Sequence, residues 1–118
     1  MGTTIGALVV DPDELLVYPF CDTRPIRALT DWLDASSIKS FGAMLLDMYP
    51  KGRVEDARYE RGADPLDLAC WFDAGNYTIS RNGRFGNLWI QGGPRARKFF
   101  ADEPERAPAL NKIPLVKW

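Results

Sequence analysis

Three acidic side chains lie together in Asp11-Pro12-Asp13-Glu14, which directly follows the apolar run at residues 5–10. Three neighbouring carboxylates repel one another and are costly to hold together unless a cation or a hydrogen-bond network compensates their charge. Oxygen ligands select hard ions such as Mg²⁺, Mn²⁺ or Ca²⁺. Asp11 and Asp13 are therefore candidate metal ligands. The alternative is a solvated acidic turn, because Asp-Pro is a common turn former.

A second group lies at residues 92–98, where two glycines and a proline precede three cations, Arg95, Arg97 and Lys98. Glycines before a helix expose backbone N–H groups that could receive an anionic group such as a phosphate. Cations in the first turn are unfavourable for the helix dipole, which suggests that they serve another purpose. Arg95 and Arg97 are candidate substrate-binding residues, and the alternative is a helix start with a solvated basic face.

A third group combines aromatic and polar side chains around Trp71, Asp73 and Asn76. Stacking on Trp71 and hydrogen bonds from Asn76 would suit a sugar-binding surface, although most tryptophans are simply core residues. Asp47 and Asp73 each lie beside an apolar run. Either carboxylate could be a catalytic general base with a raised pKa, or merely the end of a strand.

Composition excludes several classes of function. The chain contains no histidine, which rules out Ser-His-Asp and Cys-His catalysis and His-ligated zinc within it. Its formal net charge of -1 lacks the positive excess of proteins that bind nucleic acid through phosphates. Two cysteines are too few for a disulfide scaffold and predict reduced thiols in a cytoplasmic protein. No apolar run approaches the roughly 20 residues of a membrane-spanning helix, so no transmembrane segment is expected.

Hydrophobic periodicity and turn signals predict the elements that would position these groups. The predicted order is a buried strand at 5–10, an apolar segment at 15–18, a helix at 24–35, a buried strand at 41–48, a loop or short exposed helix at 53–64, a short helix at 64–71, strands at 77–81 and 85–91, a helix after 92–94, a loop at 102–114 and a strand starting at 115. Thr23 is the predicted N-cap of the helix at 24–35. Asn82-Gly83 predicts a hairpin turn at 81–84.

These elements predict an α/β fold, in which the first two buried strands and the helix between them form a parallel βαβ unit. In open α/β sheets, ligands bind beyond the carboxyl ends of the strands. The acidic residues 11–14 follow such a strand end. A divalent cation held there could bridge to a diphosphate.

Four stretches of the sequence resemble a bacterial subgroup of family-2-like glycosyltransferases. They are VDPDELLVYP at 10–19, FGAMLLDMYP at 41–50, FGNLWIQGGPR at 85–95 and APALNKIPL at 107–115. The resemblance extends over nearly the whole chain after its first residues. The long matching runs make it more specific than the Asp-x-Asp pattern alone.

The resemblance implies a GT-A fold, of which this chain would hold a partial, Rossmann-like sheet with flanking helices and a small β-hairpin. In that family the Asp-x-Asp motif binds Mn²⁺ or Mg²⁺ against the diphosphate of a nucleotide-sugar donor. Asp11 and Asp13 would then be metal ligands, with Glu14 as a supporting carboxylate. The implied reaction transfers the sugar, with inversion, to a carboxylate-activated hydroxyl of a glycan or another acceptor.

Family members carry a nucleotide-binding half before the Asp-x-Asp strand and continue beyond the position of Trp118. Residues 1–118 are therefore expected to form a single domain or fragment, the acceptor-side part of a glycosyltransferase domain, inactive by itself. An exposed sheet edge is expected where strands are missing, and such edges favour a homo-oligomer. Strictly monomeric elution in solution would contradict that expectation. The alternatives are a non-catalytic binding or assembly module and a metal-dependent phosphotransfer or hydrolytic enzyme.

Overall fold

A computed structural model describes residues 6–84 and 86–117 of the chain. The elements, in chain order, are β1 (Gly6–Leu8), α1 (Ile26–Ala35), β2 (Ser40–Met44), α2 (Pro65–Leu68), β3 (Tyr77–Asn82), β4 (Asn87–Gly92), α3 (Gly93–Phe99) and β5 (Asn111–Lys117), with short 3-10 turns at Val54–Asp56 and Pro104–Arg106. The chain divides into two units. Unit 1 is Met1–Ala43 with Lys112–Trp118, and unit 2 is Met44–Asn111.

Unit 1 contains a three-stranded sheet in the order β1-β5-β2. β1 is antiparallel to β5, with Gly6 opposite Lys117 and Leu8 opposite Leu115. At one end of β2 the Lys117 N–H donates to Lys39 O at 2.8 Å, and just beyond its other end the Leu45 N–H donates to Leu110 O at 2.6 Å. β2 is therefore antiparallel to β5 as well.

The predicted parallel βαβ unit is wrong in its pairing. β1 and β2 run in the same direction on either side of α1 in the sequence, but β5 lies between them. The described residues contain no neighbouring pair of parallel strands. The fold is mixed α/β with small antiparallel sheets, because a strand from the far end of the sequence supplies hydrogen bonds to both outer strands.

The predicted burial of the first two strands is also wrong. β1 and β2 alternate between exposed and half-buried residues, and of the described part of the first predicted strand, 6–10, only Gly6–Leu8 forms a strand. Ile5, the predicted first residue of that strand, lies outside the described residues. An uninterrupted apolar run is typical of strands in parallel sheets covered on both faces. These strands are instead the outer members of a narrow antiparallel sheet. An uninterrupted apolar run therefore wrongly predicts burial on both faces for them.

β5 begins at Asn111, inside a segment predicted to be a loop because of its prolines. Pro114 lies within the strand, is nearly fully buried, and accepts a 2.8 Å hydrogen bond from the Val9 N–H. Proline cannot donate to a sheet, but its carbonyl remains available. A proline at such a position therefore does not end a strand.

The helix predicted at 24–35 is confirmed as α1, which starts two residues later and buries Leu33. The predicted cap is wrong, because Pro25 occupies the N-cap position without a side-chain hydrogen bond. The Thr23 hydroxyl instead donates to Phe20 O at 3.4 Å. The predicted pair of Arg27 and Asp31 is present at 3.9 Å, but its exposure makes it worth little to stability.

Unit 2 contains the predicted hairpin, in which β3 pairs with β4 from Tyr77 opposite Gly92 to Asn82 opposite Asn87. The turn is displaced, because Asn82 still belongs to the ladder and the connection is 83–86. Phe85, the predicted first residue of the second strand, lies outside the described residues. The short helix predicted at 64–71 is present as α2 but ends at Leu68, and the Asp64 side chain caps it by accepting from the Leu66 N–H at 2.9 Å.

The core of unit 2 forms where residues 104–110 cross the hairpin. Leu110, with 1% of its surface exposed, donates its N–H to Ile90 O at 2.7 Å. Gln91 Nε2 donates to Glu105 O at 3.0 Å and to Ala107 O at 2.6 Å.

No helix in the described part of the chain is both long and apolar enough to cross a membrane.

Candidate functional site

The carboxylate of Asp73, which lies between α2 and β3 in unit 2, accepts three hydrogen bonds from side chains. Arg97 on α3 donates to both of its oxygens, from Nε to Oδ2 at 2.9 Å and from Nη2 to Oδ1 at 3.0 Å. The Tyr49 hydroxyl adds a 2.7 Å hydrogen bond to Oδ1. The Tyr77 hydroxyl donates to the Asp73 backbone carbonyl at 2.8 Å. The Asp73 side chain is only 10% exposed, so the charge of Arg97 compensates a carboxylate that is largely removed from water.

These contacts shift the pKa values of Asp73 and Tyr49. Hydrogen bonds from Arg97 and then Tyr49 hold the pKa of Asp73 below its ordinary value. The hydrogen bond to Asp73 raises the pKa of Tyr49, which keeps that hydroxyl protonated. The expectation of a raised pKa at Asp73 is therefore wrong. A role for Asp73 as general base stays a prediction and would require Arg97 to release it.

Asp47 forms a second ion pair with α3. Arg95 donates from Nε to Oδ2 at 2.6 Å and from Nη2 to Oδ1 at 3.2 Å. Arg95 and Arg97 are two residues apart, so they project about 200° apart around the helix axis. The two arginines thus bind carboxylates on different sides of α3. Arg97 and Lys98 lie in the last turn of this helix, where cations are favourable, so the predicted placement of all three cations near the first turn is wrong.

Asn76 and the two glycines before α3 form a close backbone crossing. Asn76, Gly92 and Gly93 all have positive φ, at 60°, 128° and 75°. The Gly93 N–H donates to Asn76 O at 3.3 Å, and Asn76 Nδ2 donates back to Gly93 O at 3.0 Å. This crossing brings Asn76 to the start of the helix that carries Arg95 and Arg97.

A shallow cavity of about 330 Å³ lies beside this crossing in unit 2. Its polar lining includes Asn76, Gln91 and Arg97, and Phe100 contributes an aromatic wall. The volume is at the lower end of the range for small-molecule sites, which is about 300 to 1,000 Å³. Two of the predicted substrate-binding residues, Asn76 and Arg97, therefore line one cavity.

Trp71 is placed by the backbone of Tyr49, with which it exchanges hydrogen bonds of 2.8 and 3.0 Å. It is 48% exposed, so it is not a core residue. The Lys51 ammonium lies 5.8 Å from the centre of its ring, within the range of a cation–π contact. Part of the Trp71 surface is thus open to solvent.

Residues 11–14 of unit 1 form a β-turn, closed by a 3.0 Å hydrogen bond from the Glu14 N–H to Asp11 O. Glu14 Oε2 accepts the Asp11 N–H at 2.9 Å and also accepts from the Lys112 ammonium. Lys112 lies 3.5 Å from Asp11 Oδ2. The hydrogen bond from Lys112 lowers the pKa of Glu14, and the same bond raises the pKa of Lys112. Lys112 thus supplies the cation that compensates the acidic turn.

The donor atoms of this turn fit a hard divalent cation in type. The side chain of Asp11 is 73% exposed, and Asp13 is exposed as well. Residues 6–84 and 86–117 contain no group of three or more His, Cys, Asp or Glu side chains arranged to hold a metal ion. Mg²⁺ is commonly bound through one or two carboxylates, with water and substrate phosphates completing its shell. Asp11 and Asp13 are the residues that would hold it.

Two connected residues were missed by the sequence interpretation, Tyr49 and Lys112. The sequence predicts a turn at Tyr49 and a loop at Lys112, whereas their partners lie 24 and 98 positions away. No local pattern indicates such pairs. The available signal was that both residues lie in stretches that carry the glycosyltransferase resemblance.

Replacing Asp73 with asparagine is expected to lower the free energy of unfolding at neutral pH by about 2 kcal/mol, because hydrogen bonds to charged groups are lost. The pKa of Asp73 is lower in the folded chain, so the unfolded chain binds more protons as pH falls through the acidic range. The stabilisation is therefore present at neutral pH and lost below about pH 4. Urea unfolding at several pH values measures both effects.

Glu103→Gln is the matched control for that prediction. It removes a carboxylate that pairs with Arg106 in the same unit, but the Glu103 side chain is 57% exposed. An exposed pair is worth less than about 1 kcal/mol. Equal losses in the two variants would contradict the network described for Asp73.

The structure thus brings six of the eight predicted site residues into unit 2, where they form two ion pairs with α3, line one cavity and present one half-exposed aromatic surface. Asp11 and Asp13 belong to unit 1, in a turn whose negative charge Lys112 compensates.

Comparisons with protein-family models, with curated proteins and with solved structures found no match to this chain.

Proposed function

We propose that the chain is the acceptor-side part of a metal-dependent, family-2-like glycosyltransferase of the GT-A type. In this proposal the sheet of unit 1 belongs to a larger GT-A sheet, and the turn after β1 binds Mn²⁺ or Mg²⁺ with the diphosphate of a nucleotide-sugar donor. The bound metal would stabilise negative charge on the departing diphosphate. The four stretches of sequence resemblance and the composition of the turn carry the family assignment.

The observation that supports the donor site best is the different exposure of the three acidic side chains. Glu14 is 20% exposed and is engaged by Lys112, whereas Asp11 is 73% exposed. Asp13 is also exposed. The Asp-x-Asp pair therefore has carboxylate oxygens open to solution, while the third carboxylate is used to hold the turn. This division of roles agrees with two metal ligands and a supporting residue.

Unit 2 would bind the acceptor in this proposal. Asn76 and Arg97 line its cavity, and Trp71 offers an exposed aromatic surface on which a sugar could stack. Asp47 and Asp73 remain the candidates for the base that activates the acceptor hydroxyl. Asp47 and Arg95 belong to two different stretches of the sequence that carry the resemblance, and their side chains form an ion pair. This contact supports the proposal that the two stretches contribute to one site.

The second candidate is a non-catalytic binding or assembly module that retains this fold. The ion pair of Asp73 favours it, because hydrogen bonds from Arg97 lower the pKa of that carboxyl group and so make it a weaker base. Large apolar side chains of unit 1, such as Leu15 at 62% and Val17 at 75%, are also exposed. Such side chains suit contact with a second copy of the chain.

A titration with Mn²⁺, followed by electron paramagnetic resonance with and without UDP, tests the proposed donor site. We expect saturable binding of Mn²⁺ that strengthens when UDP is present, because diphosphate oxygens complete the coordination of the metal. The double variant Asp11→Asn/Asp13→Asn should abolish this binding.

The matched control is Asp31→Asn/Asp34→Asn, which removes two aspartates of α1 in the same unit and leaves the turn unchanged. It should bind Mn²⁺ as the unmodified chain does. Binding that survives loss of Asp11 and Asp13, or that UDP does not strengthen, would contradict the donor site. The non-catalytic module would then be the better description of the chain.

A further inference from the structure

The outer edge of β3 in unit 2 is open in the described part of the chain. Among residues 6–84 and 86–117, β4 is the one strand that pairs with β3. β3 has six residues, compared with three in β1 and five in β2, the outer strands of the other sheet. The backbone groups of an unpaired strand edge are a template for another strand. We propose that this edge pairs with the same edge of a second copy of the chain, antiparallel, with Ile79 opposite its own copy.

The contacts of Ile90 establish which backbone groups of β3 face the open edge. The Ile90 N–H donates to Asn111 Oδ1 at 3.4 Å, and Ile90 O accepts from the Leu110 N–H at 2.7 Å. Both groups of Ile90 therefore point away from β3. Ile79 is directly opposite Ile90 in the ladder, so the two form a non-hydrogen-bonded pair. The N–H and C=O of Ile79 thus point outward, to the open edge.

The alternation of the ladder gives the same orientation to Tyr77 and Arg81, which lie two residues on either side of Ile79. A two-fold axis at Ile79 places Arg81 of each copy opposite Tyr77 of the other. Facing residues of this kind exchange two N–H···O=C hydrogen bonds. One register therefore satisfies the outward backbone groups of both copies.

The side chains of β3 suit this register. Ile79 is 64% exposed and shares a face with Ile90, so the pairing would form one row from these isoleucines of both copies. Arg81 is the one charged residue of β3, and it would lie opposite an uncharged tyrosine and not opposite its own copy. On the other face Thr78 would lie opposite Ser80, and such hydroxyl pairs are favourable.

The pairing ends at two copies. The outer side of β4 already bonds to Leu110 and Asn111, so it does not offer a third copy the same open edge. A two-stranded hairpin is marginal by itself, whereas the sheet of the pair would have four strands in the order β4-β3-β3-β4. The contact is small for a protein interface, so we expect a dissociation constant in the micromolar range.

Sedimentation equilibrium from micromolar to millimolar concentration tests the association, and the unmodified chain should show a reversible monomer–dimer equilibrium. Ile79→Pro removes an outward N–H and no hydrogen bond to β4, so the hairpin should be retained. We expect it to weaken dimerisation by about tenfold or more, because each dimer loses two hydrogen bonds. Ile79→Lys should weaken it as well, since two ammonium groups would then lie opposite each other.

Phe99→Lys is the matched control for the charge. Phe99 is 70% exposed, on α3 in the same unit, and the change also replaces an exposed apolar side chain with lysine. It should dimerise as the unmodified chain does. Circular dichroism of each variant checks that the fold is retained, and if Ile79→Pro fails to fold, Ile79→Lys and the cross-linking below decide the question.

Disulfide cross-linking tests the register in a chain whose exposed cysteines are replaced, Cys21→Ser/Cys70→Ser. Ile79→Cys should form a disulfide-linked dimer, because hydrogen-bonded partners have Cα atoms about 5.5 Å apart, within the range of a disulfide. Leu88→Cys is the control, since Leu88 is 53% exposed on the same face. Both β3 strands would separate it from its own copy, too far for a disulfide.

Three results would overturn this inference, and none of them bears on the proposed donor site. A chain that stays monomeric up to millimolar concentration would leave the edge for an extended peptide of another protein. A dimer that persists in the folded Ile79 variants would belong to another surface, such as the exposed apolar side chains of unit 1. Equal cross-linking through positions 79 and 88 would exclude the register.

Discussion

Replacing Gly92 with alanine is expected to destabilise the chain by about 3 kcal/mol, the combined effect of a strained backbone and an overpacked site. Gly92 has a φ of 128°, and a Cβ added there would lie 2.1 Å from Asn76 O and 2.9 Å from Tyr77 Cα. Both neighbours are backbone atoms, so no side-chain rotation can relieve the overlap. The crossing between Asn76 and the start of α3 would have to open.

That opening would also disturb the candidate site. Gly92 directly precedes α3, and α3 carries the arginines that bind Asp47 and Asp73. We therefore expect Gly92→Ala to lower the urea midpoint and to remove the acid-dependent stability that Asp73 contributes. Unfolding followed by the fluorescence of the four tryptophans measures the midpoint.

Gly75→Ala is the matched control, because Gly75 is adjacent to Asn76 and a Cβ there would meet nothing within 4 Å. Its φ is not in the positive range, so alanine is compatible with the backbone. The control should be neutral or more stable by about 0.4–1 kcal/mol, since alanine restricts the unfolded chain. Similar midpoints for the two variants would show that the backbone crossing at Gly92 is not formed.

Replacing Leu110 with alanine should cost about 3 kcal/mol, from lost transfer energy and from the cavity left behind. Leu110 is 1% exposed, and its backbone is fixed by hydrogen bonds to Ile90 and from Leu45. Among the described residues of unit 2, the other buried apolar ones are Ile90, Ala96 and Ala107. Two of these three are alanines, which cannot extend into the space. A loss of this size is large compared with the usual 5–15 kcal/mol of a whole domain.

Two variants bracket this prediction. Leu110→Met nearly conserves volume and should cost less than about 1.5 kcal/mol. Leu88→Ala makes the same chemical change in β4, but Leu88 is 53% exposed, so its effect should stay below about 1 kcal/mol. Urea unfolding of the three variants gives the order directly. A cost for Leu88→Ala as large as that for Leu110→Ala would mean that Leu110 is not at the centre of the core.

Local features of the fold were predictable because their causes are local. α1 follows from apolar residues at helical spacing, and the pairing of β3 with β4 follows from two strand-like runs around Asn82-Gly83. α2 follows from Asp64-Pro65, whose aspartate supplies the cap. In each case the residues that interact are at most fifteen positions apart. Hydrophobic periodicity and turn-forming residues are therefore enough to predict these elements.

The sequence alone also determined which chemistries the chain can carry out. The absence of histidine excludes histidine catalysis within it, and the composition of residues 11–14 restricts any metal there to ions that prefer oxygen. Residue types are sufficient for these conclusions, because they depend on which functional groups exist and not on where they lie.

Tertiary structure alone decided how those groups are paired. β5 enters between β1 and β2, Lys112 reaches Glu14 across 98 positions, and α3 draws Asp47 and Asp73 to its two arginines. The local sequence around each partner is compatible with many others, since an ion pair or a strand pair requires only complementary groups at the right place. That place is determined by the packing of the chain, so the low pKa of Asp73 and the cation at the acidic turn could not be predicted from either partner's neighbours.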